Sequence, residues 1–181
     1  MTQDLRAIAA AEAGKAGLPP ELVRAVIQTE SCWNPWAWNP EHQYRWYWNV
    51  KTRRPFRTLS QSEVESERPP HDFETLAGDP DQEWWGQSAS WGLMQVMGAV
   101  ARELGFRGDY LPNILLPELN IALGCQQLGR LRDRWHKRLG WDGVISAYNA
   151  GFPRKYVDNR WVNQGYVDKV RAALAQDGGL A

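Results

Sequence analysis

The chain has 181 residues, with 21 lysines and arginines against 21 acidic residues, and 43% of it is hydrophobic. That length suits one domain with a real core and is short for two, and formal neutrality excludes the broad positive field that recruits nucleic acid or an anionic membrane. No apolar run approaches the roughly 20 residues of a membrane span, and the unusual number is 11 tryptophans, eight of them between Trp33 and Trp91.

Asp4 to Ala16 reads as a first helix, with Leu5, Ile8 and Ala9 on one face. The opening MTQDLRAIAAAEAGKAG has no basic stretch followed by a dense apolar one. It is read as helix rather than signal peptide, which predicts synthesis in the cytoplasm without a leader. GLPPE breaks this helix, and a second is expected from about Pro20 to about Cys32. In it Val23, Val26 and Ile27 share one face, and Glu30 is the next position on that face. A carboxylate there is disfavoured as an anion twice over, by burial and by the C-terminal end of the helix dipole. It is tolerated if it is protonated part of the time or borders a cleft, which is what a general acid needs. NPWAWNP ends the helix, because Pro35 and Pro40 push their predecessors out of helical geometry.

Residues 41 to 90 change character. YRWYWNVKTRRPFR is aromatic and basic, and eight acids with one arginine follow between Ser62 and Glu83. We read residues 1–181 as a single domain in which about 41–90 forms an insertion subdomain of loops and short helices, with room for a hairpin, packed by its own aromatic side chains. Charge runs of this kind are usually solvated surface. SWGLMQVMGAVARELGF then predicts a helix, with Leu93, Met97, Val100, Ala101 and Leu104 as its apolar stripe and Gly105 as its stop. LPELNIALGCQQLGRLRDRW predicts a long helix opening at Pro117. WDGVISAYNAGF predicts a short one ended by Gly151, and NQGYVDKVRAALAQ a closing helix before a fraying tail, DGGLA. Cys32 and Cys125 are expected to be buried free thiols, with a disulfide as the alternative. With two cysteines and three histidines, none at ligand spacing, no metal site is expected.

Four pieces stand out together and in order: ESCWNP at 30–35, SWGLMQVM at 90–97, NIALGCQQL at 120–128 and AYNAG at 147–151. With them the chain resembles the lysozyme-like lytic transglycosylases of the soluble lytic transglycosylase catalytic-domain family, and more distantly goose-type lysozyme. The tryptophan-rich insertion before SWGLMQ is similar to that of phage-encoded members. The resemblance implies a mainly α, lysozyme-like α+β fold, in which a helical catalytic core carries the irregular insertion. It implies that Glu30 is the catalytic acid and that Tyr148 lies near it. Asn149 and Gln95 would line a saccharide groove, Met94 would form an apolar wall, and Ser31 would support the helix end. Asn39 stands where several members place a serine that orients a reacting substituent. The family commonly has alanine at the position of Ser90 and proline at that of Gly98.

The implied substrate is the β-1,4 bond between N-acetylmuramic acid and N-acetylglucosamine in peptidoglycan. None of the four pieces supplies a second carboxylate, which fits one glutamate acting as acid and then base to leave 1,6-anhydromuramoyl ends. Val23, Val26 and Ile27, with Met94 and Met97, are expected to supply the apolar surroundings that lift its pKa, and Trp33 or Trp91 to pack on sugars. One alternative is a muramidase that hydrolyses the same bond with a carboxylate from the insertion, such as Asp72, Glu74, Asp79 or Asp81. The other is a catalytically silent peptidoglycan-binding virion component. No cofactor, nucleic acid or membrane insertion is expected. The protein is read as a monomer acting on the bacterial wall, carried in a virion or released at host lysis.

Overall fold

Asp4 opens the first helix by accepting the backbone N–H groups of Arg6 and Ala7 at 3.0 and 3.2 Å, which satisfies donors the helix itself leaves free. This cap and everything below come from a computed structural model that describes residues 4–66, 68–76 and 78–179. The first three residues of the stretch read as a leaderless helix, Glu67 and Ala77 of the insertion, and the last two residues of the tail lie outside the described residues. The chain divides into two compact units, Met1–Trp33 with Ile121–Ala181, and Asn34–Asn120.

The first unit is helical. It holds α1 (Leu5–Lys15), α2 (Pro20–Ser31), all but the first turn of α6 (Pro117–Ala150), and α7 (Gln164–Gln176). Pro19 and Pro20 start α2 as expected. Its apolar face, Leu22, Val23, Ala25, Val26 and Ile27, is buried, and the helix packs against both α1 and α7. Arg24 pairs with Asp177 just beyond α7, at 2.5 Å. Arg132 donates to the carbonyls of Ala16 and Gly17 and so closes the turn between α1 and α2. Gly140, at φ 62° and ψ −171°, breaks α6 into the long and short helices that the sequence predicts, and Gly151 at φ 73° ends the second.

The second unit is mixed. β1 (Trp38–Pro40), β4 (Ala89–Trp91) and β5 (Val96–Met97) form an antiparallel sheet in the order β1–β4–β5. β2 (Trp48–Asn49) pairs with β3 (Arg54–Pro55) as a hairpin, and α3 (Gln61–Val64), α4 (Pro80–Gln87), α5 (Gly98–Glu103) and a 3₁₀ turn (Leu111–Leu115) complete the unit. The predicted helix over SWGLMQVMGAVARELGF is half wrong, because only Gly98–Glu103 is helical. The rest is the β4–β5 hairpin. Gly92 at φ 70° and Gln95 at φ 46° turn the chain. Asn120 locks that turn, accepting the Met94 N–H at 2.8 Å and donating to the Trp91 carbonyl at 2.7 Å. Apolar residues at helical spacing here reflect burial of a tight turn: Leu93 and Met94 have no exposed surface. Gly98 is required by backbone packing, since a Cβ there would lie 2.0 Å from the Gly86 carbonyl oxygen. A proline ring would meet the same atom.

The aromatic residues of the insertion do build a core. Tyr47, Leu59, Val64, Phe73 and Trp84 are buried together, with Tyr44 and Phe56 against them. Tyr47 stacks on Trp84 at 3.8 Å, and Phe73 meets both edge-on. The basic segment faces the acidic one: the Arg57 guanidinium grips Asp72 and Glu63 at 2.7 Å each. It holds the Glu63 carboxyl down to about 2 and that of Asp72 below its usual range. Beneath lies a buried ion pair, Glu83 with Arg102, at 2.7 Å. Arg102 also donates to the carbonyls of Phe106 and Gly108, and Gln87 links Glu83 to the backbone of Trp48. One polar network thus joins α4, α5, β2 and the loop after α5.

Candidate active site

Glu30 occupies the last turn of α2, on the face whose other members are buried. Burial lifts its carboxyl from the ordinary 4.5 to about 7, and a hydrogen bond from Tyr166 offsets part of the rise. The Tyr166 hydroxyl donates to Glu30 Oε1 at 2.5 Å. Only burial and this neutral phenol account for the shift. The helix stops abruptly after the acid. Ser31 Oγ donates back to the Ile27 carbonyl at 3.2 Å, and Cys32 and Trp33 both adopt left-handed backbone, at φ 50° and 66°. Such conformations cost of order 1 kcal/mol each for non-glycine residues and concentrate at functional sites. Arg6 lies over the Trp33 ring, 4.8 Å from its centroid, and holds that turn.

Two tyrosines share this locality. Tyr148 lies near the end of α6, beyond the Gly140 break. Burial holds its phenol well above the ordinary range, and the nearby charge of Glu30 adds to this. Tyr166 sits in the first turn of α7 and is raised for the same two reasons, in the same order, with the hydrogen bond to Glu30 and nearby Tyr148 adding further. Both phenols therefore remain neutral donors at physiological pH. A carboxyl half-protonated near neutrality beside two fixed phenols can give a proton, hold the resulting charge, and take a proton back.

Asn149, next to Tyr148, is exposed, and Asn163 braces it: one Asn163 amide donates to Asn149 Oδ1 at 2.9 Å and to the Ser146 carbonyl at 3.0 Å. Glu30, Ser31, Tyr148 and Asn149 thus belong to the first unit, while Asn39, Met94 and Gln95 belong to the second. In the second unit Asn39 pairs with Ser90 across β1 and β4, and its amide donates to Glu41 at 2.7 Å. Met94 has no exposed surface to offer a saccharide. The Gln95 amide is spent on its own turn and the chain before β1, donating to the carbonyls of Gly92 and Ala37 and accepting from Ser90 Oγ at 2.9 Å. Ser90, where alanine is common in the family pattern, therefore orients Gln95. Trp91 is buried and donates to the Gly86 carbonyl, whereas Trp36 and Trp38 are exposed. Of the insertion's carboxylates, Asp72 is held by Arg57, Glu74 accepts from Asn49, and Asp79 caps α4.

Sequence reasoning missed Tyr166. Its signal was a tyrosine at the head of the apolar stripe Val167, Val170, Leu174 of the closing helix, where a hydroxyl goes into the interior only if it finds a partner. The cysteine reading is half corrected. Both thiols are free, but Cys32 is exposed, because the left-handed residue that ends α2 turns outward, and only Cys125 is buried. Burial pushes the Cys125 thiol up to about 12, with Glu12 nearby adding to the rise. A maleimide should therefore add once to the native protein, at Cys32, and twice in denaturant. Mass spectrometry showing two adducts on the folded protein would contradict this placement. Among the described residues no cluster of three or more His, Cys, Asp or Glu is placed to hold a metal ion, and no helix is long and apolar enough to cross a membrane.

Compared with known families, residues 7–169 match the model of the transglycosylase SLT domain. No curated protein matches the chain.

Proposed function

Because the chain belongs to the transglycosylase SLT domain family, whose members cleave peptidoglycan as lytic transglycosylases, we propose that Glu30 alone serves as acid and base in cutting the bond between N-acetylmuramic acid and N-acetylglucosamine. The observation that carries this reading is the state of Glu30: a carboxyl near pKa 7, with no second carboxylate contributing to its shift. Protonated Glu30 gives its proton to the glycosidic oxygen, and the N-acetylglucosamine portion leaves as an alcohol. The Glu30 carboxylate, steadied by the Tyr166 hydroxyl, then takes the proton of the muramoyl 6-hydroxyl. The freed oxygen closes on the anomeric carbon, giving a 1,6-anhydro ring and consuming no water. The substrate's N-acetyl oxygen stabilises the cationic centre between these steps. Tyr148, close enough to feel the charge of Glu30, and the exposed Asn149 next to it in the chain are assigned to orienting the substrate. For Asn39 and Gln95 as saccharide ligands the support is the motif match alone, and Met94 is assigned to packing of the turn.

Mass analysis of fragments released from purified sacculi tests this. The expected muramoyl ends are one water lighter than hydrolysis products. Reducing ends as the main product would instead favour a muramidase, with Asp81 the first candidate for a water-activating base, since Asp72, Glu74 and Asp79 are already engaged. Uncut sacculi would leave the silent wall-binding component. The tryptophan-rich insertion before SWGLMQ supports a phage-encoded wall enzyme, borne by the virion or freed at lysis.

A further inference from the structure

The segment between the AYNAG motif and α7 has no part in the chemistry above. It is a small hairpin. Lys155 bridges Trp161 in antiparallel fashion, Val162 donates to the Arg154 carbonyl at 2.9 Å and Tyr156 to the Arg160 carbonyl at 2.8 Å, and Asn159 at φ 68° makes the turn. Its base is fixed: Trp161 is buried, Lys155 Nζ lies 4.4 Å from the centre of that indole, and Asn163 ties the strand's exit to Ser146 and Asn149. Both roots of the hairpin therefore grow from the elements that carry Tyr148 and Tyr166.

Its outer surface is unusual for an exposed turn. Val157 at the tip is fully exposed, Tyr156 is 57% exposed, and Phe152 and Val162 are also open to solvent. Tyr156, Val157, Asp158 and Arg160 line a shallow concavity there. The charge is one-sided in a neutral chain: Arg154, Lys155 and Arg160 stand against Asp158 alone. Asp158 is taken by Arg160, at 2.7 Å, so the charges of Arg154 and Lys155 are not matched by a carboxylate within the hairpin. Solvent-facing apolar groups beside unneutralised cations fit a ligand that is acidic and carries small apolar side chains.

We propose that this hairpin docks the acidic peptide borne by the glycan strand, so that the enzyme reads the peptide as well as the sugar. The proposal rests on the peptidoglycan reading of the same site. A peptide is favoured over an anionic bilayer because the hairpin is rooted three residues after Asn149 and four before Tyr166 begins its turn with Glu30, where the substituents of a bound muramoyl unit must lie. Exposed ion pairs are individually weak, so the effect belongs in KM and in salt dependence rather than in kcat.

The test compares glycan strands carrying their peptides with the same strands stripped by an amidase. R154Q, which leaves the contact of Lys155 with Trp161 in place, is expected to raise KM for the peptide-bearing strands by roughly two- to fivefold with kcat unchanged, and to leave stripped strands as they were. Val157→Ser should act the same way and more weakly. In a Glu30→Gln background, co-sedimentation should show the same selective loss of binding to peptide-bearing strands. That readout needs no turnover, so it separates failure of this proposal from failure of the reaction assignment. Equal losses on both substrates, or no change on either, would overturn the proposal. So would loss of binding to vesicles of anionic phospholipid with both strand substrates unaffected, since the hairpin would then be a membrane contact.

Discussion

Glu30→Gln is expected to lower turnover of purified sacculi by roughly 10³-fold while the protein stays folded, as removal of a positioned acid does elsewhere. The amide fills the same space and can still accept the Tyr166 hydroxyl, but it has no proton to give. The wild-type pH profile should carry the same signature. With the carboxyl at about 7, the acid form is half depleted at neutrality, and kcat/KM should fall tenfold per pH unit above that value. Tyr166 lowers the pKa, so Tyr166→Phe should move the falling limb to higher pH. Stability should fall in the same direction as activity. The native carboxyl binds its proton more tightly than the unfolded chain does, so the contribution of Glu30 to stability is full below pH 4.5 and is lost as pH rises through 7. Glu30→Gln removes that decline, and should therefore melt higher than the wild type at pH 8 but not at pH 4. A folded Glu30→Gln protein that clears sacculi at the native rate ends the assignment.

The second large effect concerns structure. Glu83→Gln should cost about 3 kcal/mol, because it leaves the Arg102 guanidinium, only 1% exposed, without its counter-charge. For a chain of this size that corresponds to a thermal midpoint lower by about 10 °C. Replacing both partners with apolar residues is expected to cost less than Glu83→Gln per charge removed, yet not to be neutral. Arg102 also satisfies the carbonyls of Phe106 and Gly108, and Glu83 satisfies Gln87. Urea or thermal melts of the single and double variants decide it. A Glu83→Gln protein that melts with the wild type would mean that the network opens to water.

Legibility in the sequence followed the reach of the interactions involved. α1, α2 and α7 announce themselves because a cap, a proline pair or an apolar stripe lies within a few residues of the backbone it governs. Glu30 was legible for the same reason: its anomaly is a position on its own helix face. The β4–β5 turn was not, because what holds it is Asn120, 26 residues beyond the Met94 amide it accepts. Apolar spacing in SWGLMQVM looks helical unless that partner is known. Tyr166 was invisible as a site residue because a tyrosine on an apolar stripe is ordinarily packing, and its partner lies 136 residues earlier. Gly98 stands where the family commonly has proline. Its reason is the carbonyl of Gly86, which no local pattern reveals.

That 136-residue span between the acid and its phenol has a consequence for biosynthesis. The helix bearing Glu30 leaves the ribosome early, but the phenol that tunes it, Tyr166, follows 136 residues later. The unit they share is interrupted by the whole of residues 34–120. Contacts so remote in sequence form late and slowly. A nascent or truncated chain therefore displays its glutamate as an ordinary carboxylate of low pKa, and proton-transfer competence arrives only with the final helices. Docking of α7 on α2 is what arms the acid.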